Sequence, residues 1–188
     1  MRVSCKTVAA LCLAALLVLA GVASAAAQAL DLNNLVLDNQ AGQITVRFGV
    51  SAPAAPLREA LAEGASLGLV CKATLERVRG VLPNSDLVEG EYVSVLERDE
   101  LAQEYVLRLP GVEKPVRSKD LPALLNKAWG SVTMDLGSWG LLAPGHAYTL
   151  SLAISLKRRD VPAWLRYSLF FWSWDVLPET NYQLQFNY

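Results

Sequence analysis

The chain has 188 residues, 53% of them hydrophobic, with 17 basic side chains against 18 acidic ones and a net charge of −1. Such a balance lacks the basic excess that a nucleic-acid face requires, so nucleic acid is excluded as the expected partner. The apolar fraction is that of a chain with a real core rather than a disordered one.

Residues 1–27 account for part of that apolar fraction. Arg2 and Lys6 supply a positive start, Val8 to Ala20 form an apolar run, and Ala23-Ser24-Ala25 gives the small-x-small pattern of a signal-peptidase site. This reads as an export signal cleaved near Ala25–Ala27. An uncleaved membrane anchor is the alternative, and the run is nearer fifteen apolar residues than the roughly twenty that span a bilayer. Neither Cys5 nor Cys12 follows the Leu-small-small pattern of a lipoprotein signal. Removing the signal leaves residues 28–188 as a single domain with 15 basic and 18 acidic residues, a net charge of −3. Cys71 is then the only cysteine, so no intramolecular disulfide is available and packing must supply the stability.

Leu35–Leu37 and Ile44–Phe48 read as a hairpin turning through Asp38-Asn39-Gln40-Ala41-Gly42, whose Asn and Gly tolerate left-handed backbone. Pro56 opens a short helix with Leu57, Ala60 and Leu61 on one face, and Gly64 stops it. A long strand follows from Leu67 to about Arg79, with Leu67, Leu69, Cys71, Ala73 and Leu75 on one parity; this places Cys71 among core residues as an inert thiol. Glu91–Arg98 and Leu101–Leu109 form a second hairpin with the charged Glu97-Arg98-Asp99-Glu100 at a solvated tip. Ser118 is positioned to cap a helix over 119–129, in which Leu121, Leu124, Leu125 and Ala128 make one stripe and Gly130 is the stop.

Three strands complete the chain. Val132–Leu136 is short; Tyr148, Leu150, Leu152, Ile154 and Leu156 alternate with small polar residues; and Tyr167–Val176 and Tyr182–Tyr188 are separated by a bend at Pro178-Glu179-Thr180. The expected architecture is mainly β: one antiparallel sandwich or strongly curved sheet of about seven or eight strands, with two short amphipathic helices.

Several stretches together resemble a family of exported bacterial proteins, domain of unknown function 4390. They are "LREALAEG" leading into a long strand, the Tyr/Leu-rich hairpin, "DLPALLNKAWG", "APGHAYTLSLAISL" and "VPAWLRYSLFFWSWD". The resemblance covers Leu57 to Trp174 and implies a bacterial envelope protein. It brings no catalytic residue and no cofactor with it.

Chemical motifs are sparse. His146 is the single histidine and stands at a strand entry after Pro144-Gly145, with no HxxxH, CxxC or Gly-x-Ser-x-Gly beside it. No catalytic residue, metal site or cofactor is therefore expected. Two features point to binding. Trp164, Trp172 and Trp174 stand within an aromatic stretch that suits either a strand buried on both faces or an exposed shelf for a partner, a lipid or a glycan ring. Just before it, Lys157-Arg158-Arg159 reads either as a solvated turn or as a basic tip for anionic headgroups.

The closing "NYQLQFNY" alternates amide with apolar side chains, as in a strand with one wet face and as in the terminal signal of outer-membrane barrels. The two helices consume chain that an eight-stranded barrel would use for spanning. The leading expectation is an envelope protein, periplasmic or peripherally attached, that binds a protein partner or a membrane surface. A small outer-membrane barrel and a hydrolase of an envelope polymer are the alternatives.

Overall fold

The computed structural model describes residues 29–80, 83–159 and 175–188. Among them the chain forms nine strands, two helices and one 3-10 turn. In chain order these are β1 (Asp31–Gln40), β2 (Gln43–Ser51), α1 (Ala54–Ala62), β3 (Leu67–Arg77), β4 (Ser85–Asp99), β5 (Glu104–Arg108), β6 (Val116–Ser118), α2 (Leu121–Trp129), β7 (Val132–Ser138), the 3-10 turn Trp139–Leu141, β8 (Ala147–Arg158) and β9 (Asp175–Asn187).

These strands make two antiparallel sheets, one of three strands in the order β1-β2-β7 and one of six in the order β6-β5-β4-β3-β8-β9. Both sheets are open. The barrel alternative is overturned: β6 and β9 bound the larger sheet without pairing to each other, and both helices carry buried side chains into the core. No helix among the described residues is long and apolar enough to cross a membrane.

Period-two alternation builds the core. On β3 the row Leu67, Leu69, Cys71, Ala73 and Leu75 is fully buried, and on β8 so are Tyr148, Leu150, Leu152, Ile154 and Leu156. Leu69 stands opposite Leu156 and Cys71 opposite Ile154, so the two rows form one apolar surface. The small sheet lays Ile44, Val46 and Phe48 of β2 and Val132, Met134 and Leu136 of β7 against it. The two sheets approach closely at Gly90 on β4, because a Cβ there would lie 2.5 Å from the Leu136 Cδ2.

The helices fill what the small sheet leaves uncovered. Leu57, Ala60 and Leu61 of α1 are buried, and the helix closes through Gly64, at φ +84°. There the Gly64 N–H donates to the Leu61 carbonyl at 3.1 Å and the Ala65 N–H to the Ala60 carbonyl at 3.1 Å, the paired bonds of a Schellman cap. For α2 the cap is Asp120, whose Oδ1 accepts from the Ala123 N–H at 3.1 Å. Ser118, expected in that role, instead accepts from the Asp120 N–H at 3.0 Å and braces the capping residue.

Two more expectations are corrected. The hairpin turn is two residues, and the left-handed positions are Ala41 (φ 53°) and Gly42 (φ 82°). Asn39 contributes its side chain instead, its Oδ1 accepting from the Gly42 N–H at 2.9 Å. Pro178-Glu179-Thr180 is not a bend between strands, since β9 runs through it. The register moves from Ile154 opposite Thr180 to Leu156 opposite Leu177, a bulge that absorbs the extra residue. An outer strand tolerates proline there because one row of its N–H groups has no ladder partner.

Candidate binding end of the large sheet

Beta-strand β8 ends where β3 begins, with Gly68 opposite Lys157 and Leu67 opposite Arg158. The basic run is thus the end of a paired strand, and its residues alternate in direction instead of forming one tip. Lys157 is exposed on the outer face, opposite Asp175 of β9 in register. Arg158 turns to the other face and bonds the Glu63 carboxylate at the end of α1, at 3.2 Å. Arg159 is anchored by its backbone, its N–H donating to the Ser66 carbonyl at 2.7 Å. Its Cδ and Cγ lie over Gly68, where a Cβ would come within 2.8 Å and 3.1 Å of them.

Acidic groups stand close by. Ser66 Oγ donates to Glu97 Oε1 at 3.1 Å, and Glu97 also pairs with Arg108. This end of the sheet therefore mixes both signs of charge. The acidic cluster at the tip of the β4–β5 hairpin is likewise internally matched, with Asp99 on Arg117 at 3.0 Å and Glu100 on Arg98 at 3.4 Å. The Asp99 carboxylate also accepts from the Leu101 and Ala102 N–H groups. The Ala102 bond foremost, with Arg117 beside it, holds its pKa below the ordinary carboxylate value.

Trp164, Trp172 and Trp174 lie outside the described residues. The strands on either side of that segment are described: β8 ends at Arg158, β9 begins at Asp175, and the two pair directly with each other.

The remaining candidates are placed plainly. Cys71 is fully buried, and desolvation pushes its thiol up to about 12, far from a reactive thiolate. His146 is exposed, and its backbone pairs with that of Tyr188. No group of three metal-ligating side chains comes together among the described residues. An open depression of about 410 Å³ is lined by Lys72, Thr74, Glu89 and Glu91 among others, and there Lys72 and Glu91 pair at 3.8 Å.

Two polar arrangements escaped the sequence reading. Trp129 is fully buried at the end of α2, and its Nε1 donates to Ser94 Oγ at 2.9 Å. A strand serine and a helix tryptophan 35 positions apart carry no local pattern that links them. At the opposite end of the sheet the Arg77 guanidinium lies 5.9 Å from the Tyr148 ring centroid, and Tyr148 stacks on Phe186 at 5.5 Å. Arg77, Tyr148 and Phe186 are register neighbours on three adjacent strands, a ladder that shows only once the pairing is known.

The fold defines the class: an open two-sheet β-sandwich, with two helices completing the cover of its larger sheet. The model of the family described as domain of unknown function (DUF4390) matches residues 27–185, and the chain belongs to that family. No curated protein and no solved structure matches it.

Proposed function

We infer that the protein is a non-catalytic binding module of the bacterial envelope, holding a protein partner at the end of the large sheet marked by Lys157 and Arg159. The observation that carries this reading is the attachment of the aromatic segment. That segment is bounded by the end of β8, one residue before Arg159, and by Asp175 at the start of β9, two strands that pair directly, with exposed Lys157 opposite Asp175 in register. Trp164, Trp172 and Trp174 supply the kind of side chain that dominates protein interfaces. The mixed charges at this end of the large sheet favour a protein over an anionic membrane surface, which rewards an unbroken basic patch. Export rests on the amino-terminal sequence pattern.

Photo-crosslinking from positions 157 and 159 in intact cells tests the reading. A discrete protein adduct is expected, weakened by Trp172→Ala and Trp174→Ala in a protein whose thermal unfolding is unchanged. Adducts with lipid alone, or loss of stability with capture intact, would count against it. The mass of the chain recovered from cells checks cleavage near Ala25–Ala27.

A further inference from the structure

We propose that the outer border of β9, from Asn181 to Asn187, is a self-association edge that pairs antiparallel with the same strand of a second copy of this chain.

The other borders of the two sheets are each protected. β6 is three residues long, its Arg117 is bound to Asp99, and α2 follows it almost at once. On β1 the register shifts between Asn33 and Val36, Asn34 is left-handed at φ 55°, and Asp31 and Asp38 add charge. β7 carries Asp135 and Gly137, the latter at φ 105°, and runs into the 3-10 turn. Short strands, bulges and charges are the ordinary devices that stop sheet edges from pairing with other chains. On β9 such devices stop at Pro178 and Glu179. From Asn181 to Tyr188 there is no charged side chain, no proline and no glycine.

The hydrogen-bond phase shows which groups are available. Tyr188 and His146 exchange N–H···O=C bonds in both directions. Antiparallel ladders alternate, so Phe186, Leu184 and Tyr182 bond inward to Tyr148, Leu150 and Leu152, their partners in register. The N–H and C=O groups of Asn181, Gln183, Gln185 and Asn187 therefore point away from the sheet. All four residues are exposed, while Tyr182, Leu184 and Phe186 are only half-buried although each packs against the core.

This strand is complementary to itself. Antiparallel pairing centred on Leu184 sets Gln183 opposite Gln185 and Asn181 opposite Asn187, in the phase that lets the outward groups bond each other. About eight interchain hydrogen bonds result. On the core-facing side Leu184 meets its own copy and Tyr182 meets Phe186, covering apolar surface that the monomer leaves half open. No like charges face each other, and amides oppose amides. The two large sheets become one continuous sheet across a two-fold axis, the isologous arrangement commonest in homodimers.

Sedimentation of the purified chain from about 1 to 300 μM tests this, over the range expected of a modest interface. A monomer–dimer equilibrium is expected. Gln183→Lys with Gln185→Lys puts ammonium groups opposite each other and should weaken dimerisation at least about tenfold, with monomer unfolding unchanged. Gln185→Pro, which removes an outward N–H and no β8 bond, should do the same. Mixing the lysine pair with a Gln183→Glu, Gln185→Glu chain should restore association. A chain that stays monomeric throughout, a dimer indifferent to both changes, or a monomer that instead adds an extended peptide of another protein along β9 would each overturn the proposal.

Discussion

β3 and β9 are written with the same alternation, and one is sealed while the other is half open. Leu67, Leu69 and Leu75 are each 0% exposed, whereas Tyr182, Leu184 and Phe186, pointing to the same side of the same sheet, remain partly accessible. β3 has β4 on one side and β8 on the other, while among the described residues β9 is paired with β8 alone. An apolar row is therefore buried by its neighbours in the sheet as much as by the layer above it. Alternation encodes a face, and strand order decides how much that face is worth.

The largest expected effect tests that contrast directly. Leu69→Ala should cost about 2–5 kcal/mol, since no neighbour is free to close the cavity, and Leu184→Ala less than half as much. Urea unfolding of both variants measures the gap, and equal losses would break the comparison. Next in size is the buried polar bond: Trp129→Phe should lose about 1–3 kcal/mol because the Ser94 hydroxyl is left unpaired. Adding Ser94→Ala should recover part of that loss in the double variant. At the two-residue turn between β1 and β2, Ala41→Asn should stabilise by roughly 0.5–1 kcal/mol, as asparagine accepts left-handed backbone that alanine resists.

Smaller effects sharpen the picture chemically. The Cys71 thiol should stay unlabelled by a disulfide reagent at pH 8 in the folded protein and react at once in denaturant, as burial keeps it protonated. Asp99 has a depressed pKa, so its contribution is complete above the ordinary carboxylate value of 3.8 and fades as pH falls through the lower folded value. An NMR pH titration of the Ala102 amide should report that midpoint, and Asp99→Asn should abolish it. Leu101 is 100% exposed at the same tip, and Leu101→Ser should change stability by no more than about 0.5 kcal/mol.

How much of this was legible follows from the range of each signal. The alternations at 67–75, 148–156 and 182–188, the stripes at 57–61 and 121–128, and the stop at Gly64 are local patterns, and each forms the element it announces. Failures began where the deciding partner was distant. That β7 pairs with β2 rather than with its chain neighbours, and so makes a second sheet, depends on which apolar face finds which. The preference for Ser118 as cap over Asp120 turned on a two-residue difference in where the helix starts. Lys157-Arg158-Arg159 reads as one basic cluster along the chain, yet strand geometry sends Arg158 toward Glu63 and leaves Lys157 on the opposite face. Of the candidate site, the basic residues and the aromatic segment were visible in sequence, but the acidic neighbours Glu63 and Glu97 were not.

The Tyr182 hydroxyl accepts from the Leu32 N–H at 3.0 Å, and Thr180 Oγ1 donates to the Leu30 carbonyl at 3.2 Å, two stitches that each span 150 positions of chain. The beginning of the domain is thus fastened by its end. A chain emerging from the ribosome can form the β1–β2 hairpin early and add β7 to it, but the start of β1 lacks these two stitches until β9 is made. Closure of so long a loop is slow and comes late, so assembly should proceed with the start of β1 waiting, loosely held, for β9.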